Sequence, residues 1–157
     1  MELDKQIQEL VDNAPQDGTT ANLIRAIAPA LKQIAERLRH SQYYVLQTLD
    51  RGWVITSLTN RTQPSMAKSV VYAYPTLADA KAGTQNPNNP QIVALPIPVI
   101  HILFQMLAMK TVDGTVFFET PDNLKDGTEV TRANLQELLK QTYQKGQRPI
   151  SPPPDLA

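Results

Sequence analysis

The 157-residue chain carries fifteen basic and fifteen acidic side chains, no cysteine, and 41% hydrophobic against 19% charged residues. Such a composition is neither disordered nor membrane-like, and it leaves no global field to hold the protein on nucleic acid or an anionic surface, so electrostatic binding must be local. The missing cysteine removes disulfides, thiol catalysis and thiolate metal sites together, and suits a reducing compartment.

The first helix is expected over Glu2 to Asn13, with Leu3, Ile7, Leu10 and Val11 on one face. Asn13-Ala14-Pro15 stops it, because a residue before proline is pushed out of the helical region. After a turn at Pro15 to Gly18, Thr19 or Thr20 caps a second helix running to about Arg39, striped by Leu23, Ile27, Leu31, Ile34 and Leu38. Pro29 lies inside that stripe, so the helix is expected to kink or split there.

The pattern then turns to β-formers. Tyr43 to Leu49 and Trp53 to Thr59 flank Asp50-Arg51-Gly52, which fits a three-residue turn closed by a glycine bulge. In that register Leu49 faces Trp53, Gln47 faces Ile55 and Val45 faces Ser57. Lys68 to Tyr74 forms a third strand. Thr76-Leu77-Ala78-Asp79 resembles a capping box opening a short helix that stops at Gly83. A loop over Thr84 to Pro90 leads to a fourth strand at Gln91 to Leu95. Val99 to about Lys110 is apolar almost all round and marks the most buried helix. Thr115 to Glu119 is a fifth strand, and Thr131 caps a last helix ended by Gly146. This order describes an α+β fold: two N-terminal helices, a β-hairpin, and a four- or five-stranded mixed or mostly antiparallel sheet packed by helices. Residues 1–146 read as a single domain and 147–157 as a proline-rich disordered tail.

The chemistry-bearing residues are few. His40 sits among arginines at a helix end, where capping or solvation is its expected role. His101 is expected to be a core histidine bonded to a backbone carbonyl. Neither has a second ligand at metal spacing, so no metal site and no cofactor are expected. Asp122 to Glu129 looks like an acidic calcium loop but fails at Leu124 and Ala133, where ligands are needed. Six glycines, none close together, cannot build a phosphate loop. No Gly-x-Ser-x-Gly elbow is present, and no catalytic residue is assigned.

Charge placement is more informative. Seven basic residues (Arg25, Lys32, Arg37, Arg39, Arg51, Arg61, Lys68) face only Glu36 and Asp50 over residues 25–68. Residues 1–17 carry Glu2, Asp4, Glu9, Asp12 and Asp17 against Lys5 alone, so weak surface attraction between the two regions is one expectation. The sharper expectation is a binding patch of Arg37, Arg39, Tyr43, Tyr44, Arg51, Trp53 and Arg61 for an acidic partner.

From Lys68 to about Lys140 the order of elements resembles the SseB (enhanced serine sensitivity) family: strand, short helix, strand, helix, strand ending in a turn, closing helix. The stretches that carry the likeness are residues 70–76, Ile97 to Leu107, Val116-Phe117-Phe118-Glu119-Thr120-Pro121, and Thr131 to Leu139. Where that family has Asn-Pro after its last strand, this chain has Thr120-Pro121. The resemblance implies a binding or accessory role rather than a reaction. The glutamine- and proline-rich character also resembles small uncharacterised cyanobacterial proteins.

Three functions follow in order of expectation: a non-enzymatic protein-binding or accessory module, a single-stranded nucleic-acid-binding module using the same patch, and a small enzyme pairing His101 with a carboxylate. The N-terminus lacks the apolar core of a signal peptide, and the run Ile97 to Leu107 is too short to span a bilayer, so a cytoplasmic protein off the membrane is expected. Two partly apolar sheet faces leave room for a homodimer.

Overall fold

The computed structural model describes residues 3–15, 17, 19–50, 52–58, 68–83, 91–121, 123 and 127–147. The elements are α1 (Leu3–Asp12), α2 (Thr20–Ala35), β1 (Gln42–Thr48), β2 (Thr56–Leu58), β3 (Lys68–Tyr74), α3 (Leu77–Gly83), β4 (Ile92–Pro98), α4 (Val99–Ala108), β5 (Gly114–Phe118), β6 (Gly127–Thr131) and α5 (Arg132–Gln147). The α+β class holds, with six strands in one mixed sheet ordered β4-β1-β3-β5-β6, while β2 pairs β3. The sixth strand, β6, is not among the four or five expected; it lies just before the last helix.

Alternation along the strands sorts the side chains onto two faces. Tyr43 and Val45 of β1, Val71 and Ala73 of β3, Phe117 of β5 and Val130 of β6 form the main core with Leu31, Ile34, Ile102, Leu103 and Met106 of α2 and α4. Tyr44 and Leu46, Tyr72 and Tyr74, Val116 and Phe118 lie on the opposite face, where Ala80 of the short α3 packs against them. Phe118 stacks against both Tyr72 and Tyr74, with ring centroids 5.5 and 5.3 Å away. Gly83 is required by this packing, since a Cβ there would come within 2.6 Å of the Tyr74 ring. Burial, and secondarily the neighbouring Tyr72, pushes the Tyr74 hydroxyl up to about 12.

The hairpin register differs from expectation. Thr48 N donates to Gly52 O at 2.8 Å, Val54 N donates to Leu46 O at 2.9 Å, and Gln47 faces Trp53. The cause is the turn: Thr48 Oγ1 bonds the Asp50 carboxylate and accepts from Gly52 N at 3.2 Å, which draws Leu49 into the loop. These bonds, led by that from Thr48, lower the Asp50 carboxyl's acid range. Pairing beyond Val54 then moves to another strand. β1 meets β3 only at Tyr44–Tyr74 and Val45–Ala73, and β2 fills the opening by pairing Thr56–Leu58 with β3.

Pro29 neither ends nor splits α2, which is one helix over Thr20–Ala35. Proline is exposed there, and so is Arg25 one turn earlier, whose carbonyl the missing N–H leaves to water. The start of α2 is capped not by Thr19 or Thr20 but by Asp17, whose carboxylate accepts from Thr19 N (2.9 Å), Thr20 N (2.8 Å) and Thr20 Oγ1 (2.6 Å). The donors, Thr20 first, hold that carboxyl well below the usual range. Helix α2 ends at Ala35 rather than Arg39, α4 ends at Ala108, and α5 continues through Gly146. The capping box is present, with Asp79 N donating to Thr76 Oγ1 at 3.1 Å, as is the Thr131 cap, which receives Asn134 N at 3.1 Å.

The start of α4 is satisfied from a distance. Pro98 offers no side-chain cap, so Val99 N donates to Ser41 O (2.9 Å) and Ile100 N donates to Gln6 Oε1 (2.9 Å). Gln6 is fully buried and its Nε2 donates to Ser41 O at 2.7 Å. One glutamine of α1 thereby fixes the α2–β1 turn and the first turn of α4.

The two sheet edges are unlike. Strand β4 pairs β1 from Ile92–Thr48 to Pro98–Gln42, with Pro96 opposite Tyr44. Proline has no N–H, so Pro96 and Pro98, which share a parity, must turn their nitrogens outward. Thr48 N and Leu46 O both point to the hairpin side, which confirms that even-numbered β1 residues face away from β4. Strand β6 carries no proline. Of the expected tail, Gln147 is the last residue of α5 and residues 148–157 lie outside the described residues.

Candidate functional site

The expected binding residues do not converge. Arg37 is exposed just beyond α2. Arg39, also exposed, is anchored: its N donates to Glu119 Oε2 at 3.0 Å and its Nη1 to Thr120 Oγ1 at 3.4 Å. Tyr43 is completely buried, so it is a core residue and not a contact. Its hydroxyl donates to Glu119 Oε1, its ring meets Phe117 edge-on at 4.9 Å, and burial above all pushes its ionisation far up. Tyr44, its neighbour, points to the other face and packs beneath α3. Trp53 is half-buried against the main core, beside Gln47. Arg51 and Arg61 lie outside the described residues.

Both histidines are partly exposed and contact backbone carbonyls. His40 Nε2 bonds Glu119 O at 2.7 Å. His101 Nε2 bonds Gln6 O at 3.1 Å, the backbone carbonyl contact anticipated for it, and lies 3.9 Å from Glu9 Oε2. Glu119, which no local pattern marks, collects Tyr43, Arg39 and His40 at the end of β5. This cluster joins elements about eighty positions apart and leaves its carboxylate occupied by Tyr43 and Arg39. Among the described residues no group of three or more His, Asp or Glu is placed to hold a metal ion. No described helix is long and apolar enough to cross a membrane.

A different site stands out: a groove of about 390 Å³ between the end of α2, β6 and α5. Its lining residues are Ile34, Arg37 and Leu38; Thr128, Glu129 and Val130; and Asn134, Glu137, Leu138 and Gln141. The spacings explain the shape. Ile34 is on the last turn of α2, Arg37 and Leu38 lie on the tighter turn that follows it, and 134, 137, 138 and 141 are one face of α5, at the i, i+3, i+4, i+7 positions. Residues 128, 129 and 130 are consecutive in a strand, where side chains alternate sides. Three consecutive residues line a cavity only if it meets the strand along its edge.

The floor is apolar, from Leu38, Val130 and the half-buried Leu138. The rim is charged. Lys68 Nζ holds Glu129 at 2.8 and 2.9 Å, a pair on the second face of the sheet. Among the described residues neither Arg37 on the α2 bank nor Glu137 on the α5 bank has an opposite charge within ion-pair distance. Of the expected patch, Arg37 alone lines this groove. The sequence signal that was available is the single apolar side of α5, Leu135, Leu138 and Leu139, of which Leu138 borders the groove.

The chain matches no known protein family, no curated protein and no solved structure.

Proposed function

We propose that this protein is a non-enzymatic binding module that takes a segment of another protein into the groove between α2, β6 and α5. The observation that supports it is the groove itself: an apolar floor flanked by a cation and an anion that form no ion pair among the described residues, within the roughly 300–1,000 Å³ range of recognition sites. By contrast, the groups an enzyme would use, Glu119, Tyr43, His40 and His101, are engaged in tying elements together. The likeness of residues 68–140 to the SseB family points the same way. A nucleic-acid platform has less support, because Tyr43 is buried and Tyr44 and Trp53 face opposite sides of the sheet.

Selection of displayed random peptides on the immobilised full chain tests the reading. Bound peptides should lose most of their affinity to Leu138→Glu, which charges the floor, and little to Leu49→Glu at the exposed hairpin tip. Equal losses at both positions, or no selected peptide, would reject the groove as the binding surface.

A further inference from the structure

The groove is bounded on one side by a strand edge, and the hydrogen-bond parity of that edge is fixed by the structure. Strands β5 and β6 pair antiparallel, from Gly114–Thr131 to Phe118–Gly127. One step beyond, Arg132 N donates to Asp113 O at 2.8 Å while Asp113 N turns to Ser69 O at 2.7 Å, so the bond flanks Gly114–Thr131 and makes that pair of the non-bonded kind. Antiparallel pairs alternate between bonded and non-bonded kinds. Val130 and Thr128 therefore turn their backbone groups inward to Thr115 and Phe117. Glu129 turns its N–H and C=O outward, with Gly127 and Thr131 in the same phase.

We infer that the occupant of the groove is an extended partner segment that joins the sheet as a strand beyond β6, its backbone exchanging hydrogen bonds with Glu129. This rests on the groove being the binding surface and adds the geometry of the occupant. The residue opposite Glu129 places its side chain on the second face, near the Lys68–Glu129 pair. Its two neighbours stand opposite Thr128 and Val130, and their side chains enter the groove over Leu38 and Leu138. The segment thus needs apolar residues at alternating positions and no proline at the residue bonded to Glu129. Arg37, which forms no ion pair among the described residues, calls for a carboxylate beside that apolar pair.

The same geometry argues against a second copy of this chain. The register that pairs all of β6 with itself sets Glu129 directly opposite Glu129, and like charges facing across strands are destabilising. The charge acts as a guard on an edge that no described strand pairs.

The test uses a fluorescein-labelled peptide chosen from the displayed library and a scan in which each backbone nitrogen is methylated in turn. Strand addition predicts alternation: methylation at the bonded position costs about tenfold in affinity, the loss of one hydrogen bond and its stranded carbonyl, while the adjacent positions cost little. Glu129→Pro, which removes an outward donor, should weaken binding similarly with the fold intact by circular dichroism. Arg37→Glu should exchange the acidic preference of selected peptides for a basic one. A uniform response to methylation, with Leu138→Glu still abolishing binding, would overturn strand addition and leave the groove standing. If Leu138→Glu also has no effect, the groove reading fails with it.

Discussion

The two ends of the sheet solve the same problem differently. A terminal strand has a row of unpaired amides and carbonyls, which invites association. At the β4 end, Pro96 and Pro98 delete outward donors, α3 packs over one face, and Gln6 stitches α1 and α4 together over the other. At the β6 end there is no proline, and the protection is a single ion-paired glutamate beside a groove. One end is closed by covalent chemistry and packing, the other by a charge. A charge repels selectively, so the second end excludes a like copy and still accepts a complementary chain.

The sharpest way to break this contrast is a pair of neighbouring prolines. Thr128→Pro removes an inward ladder bond and should cost about 3 kcal/mol or more, while Glu129→Pro, one residue on, should cost under about 1 kcal/mol. Urea denaturation measures both, and equal costs would refute the assigned parity. At the closed end, Gln6→Ala strands the buried Ile100 amide and should cost about 2–3 kcal/mol in the same assay. Gly83→Ala forces a methyl against the Tyr74 ring and should cost about 1–2 kcal/mol. A value near zero would mean that α3 sits loosely on that face. Pro96→Thr returns an outward donor to β4; its effect on stability should stay within about 0.5 kcal/mol, but sedimentation should detect concentration-dependent association.

The gentlest perturbation is alkali. Tyr74 has its ionisation raised from 10.0 to about 12, so the folded state holds a proton that the unfolded chain releases first. Its contribution is complete below pH 10 and is lost as pH rises through about 12. Thermal melts across that interval should show a falling midpoint, less steep in Tyr74→Phe.

Much of this fold is legible in local patterns. The all-round apolar composition of α4 announced its burial, and Thr76 and Thr131 stood where helices begin. What escaped were features whose reason lies far along the chain. Gln6 fills the i+3 place in a stripe of Leu3, Ile7 and Leu10, and it is polar because its partners, Ser41 and Ile100, are backbone groups of other elements. Glu119 looks like a strand-end residue until Tyr43 and Arg39 arrive beside it. Strand β6 has one buried apolar residue, Val130, so no alternating signal announces a strand held mainly by its backbone. The expected basic and aromatic patch was scattered by that same alternation, which sends Tyr43 and Tyr44 to opposite faces. Its one residue in the groove, Arg37, comes from the helix end rather than the hairpin.

The distant capping of α4 also sets an order of events. A helix whose second amide is answered by a side chain ninety-four positions earlier is not a unit that matures alone. The Ile100 amide has its Gln6 partner only once α1 has docked beside α4. The start and the middle of the chain therefore open and close together, and exchange of the Ile100 amide with solvent deuterium should report the release of the first helix.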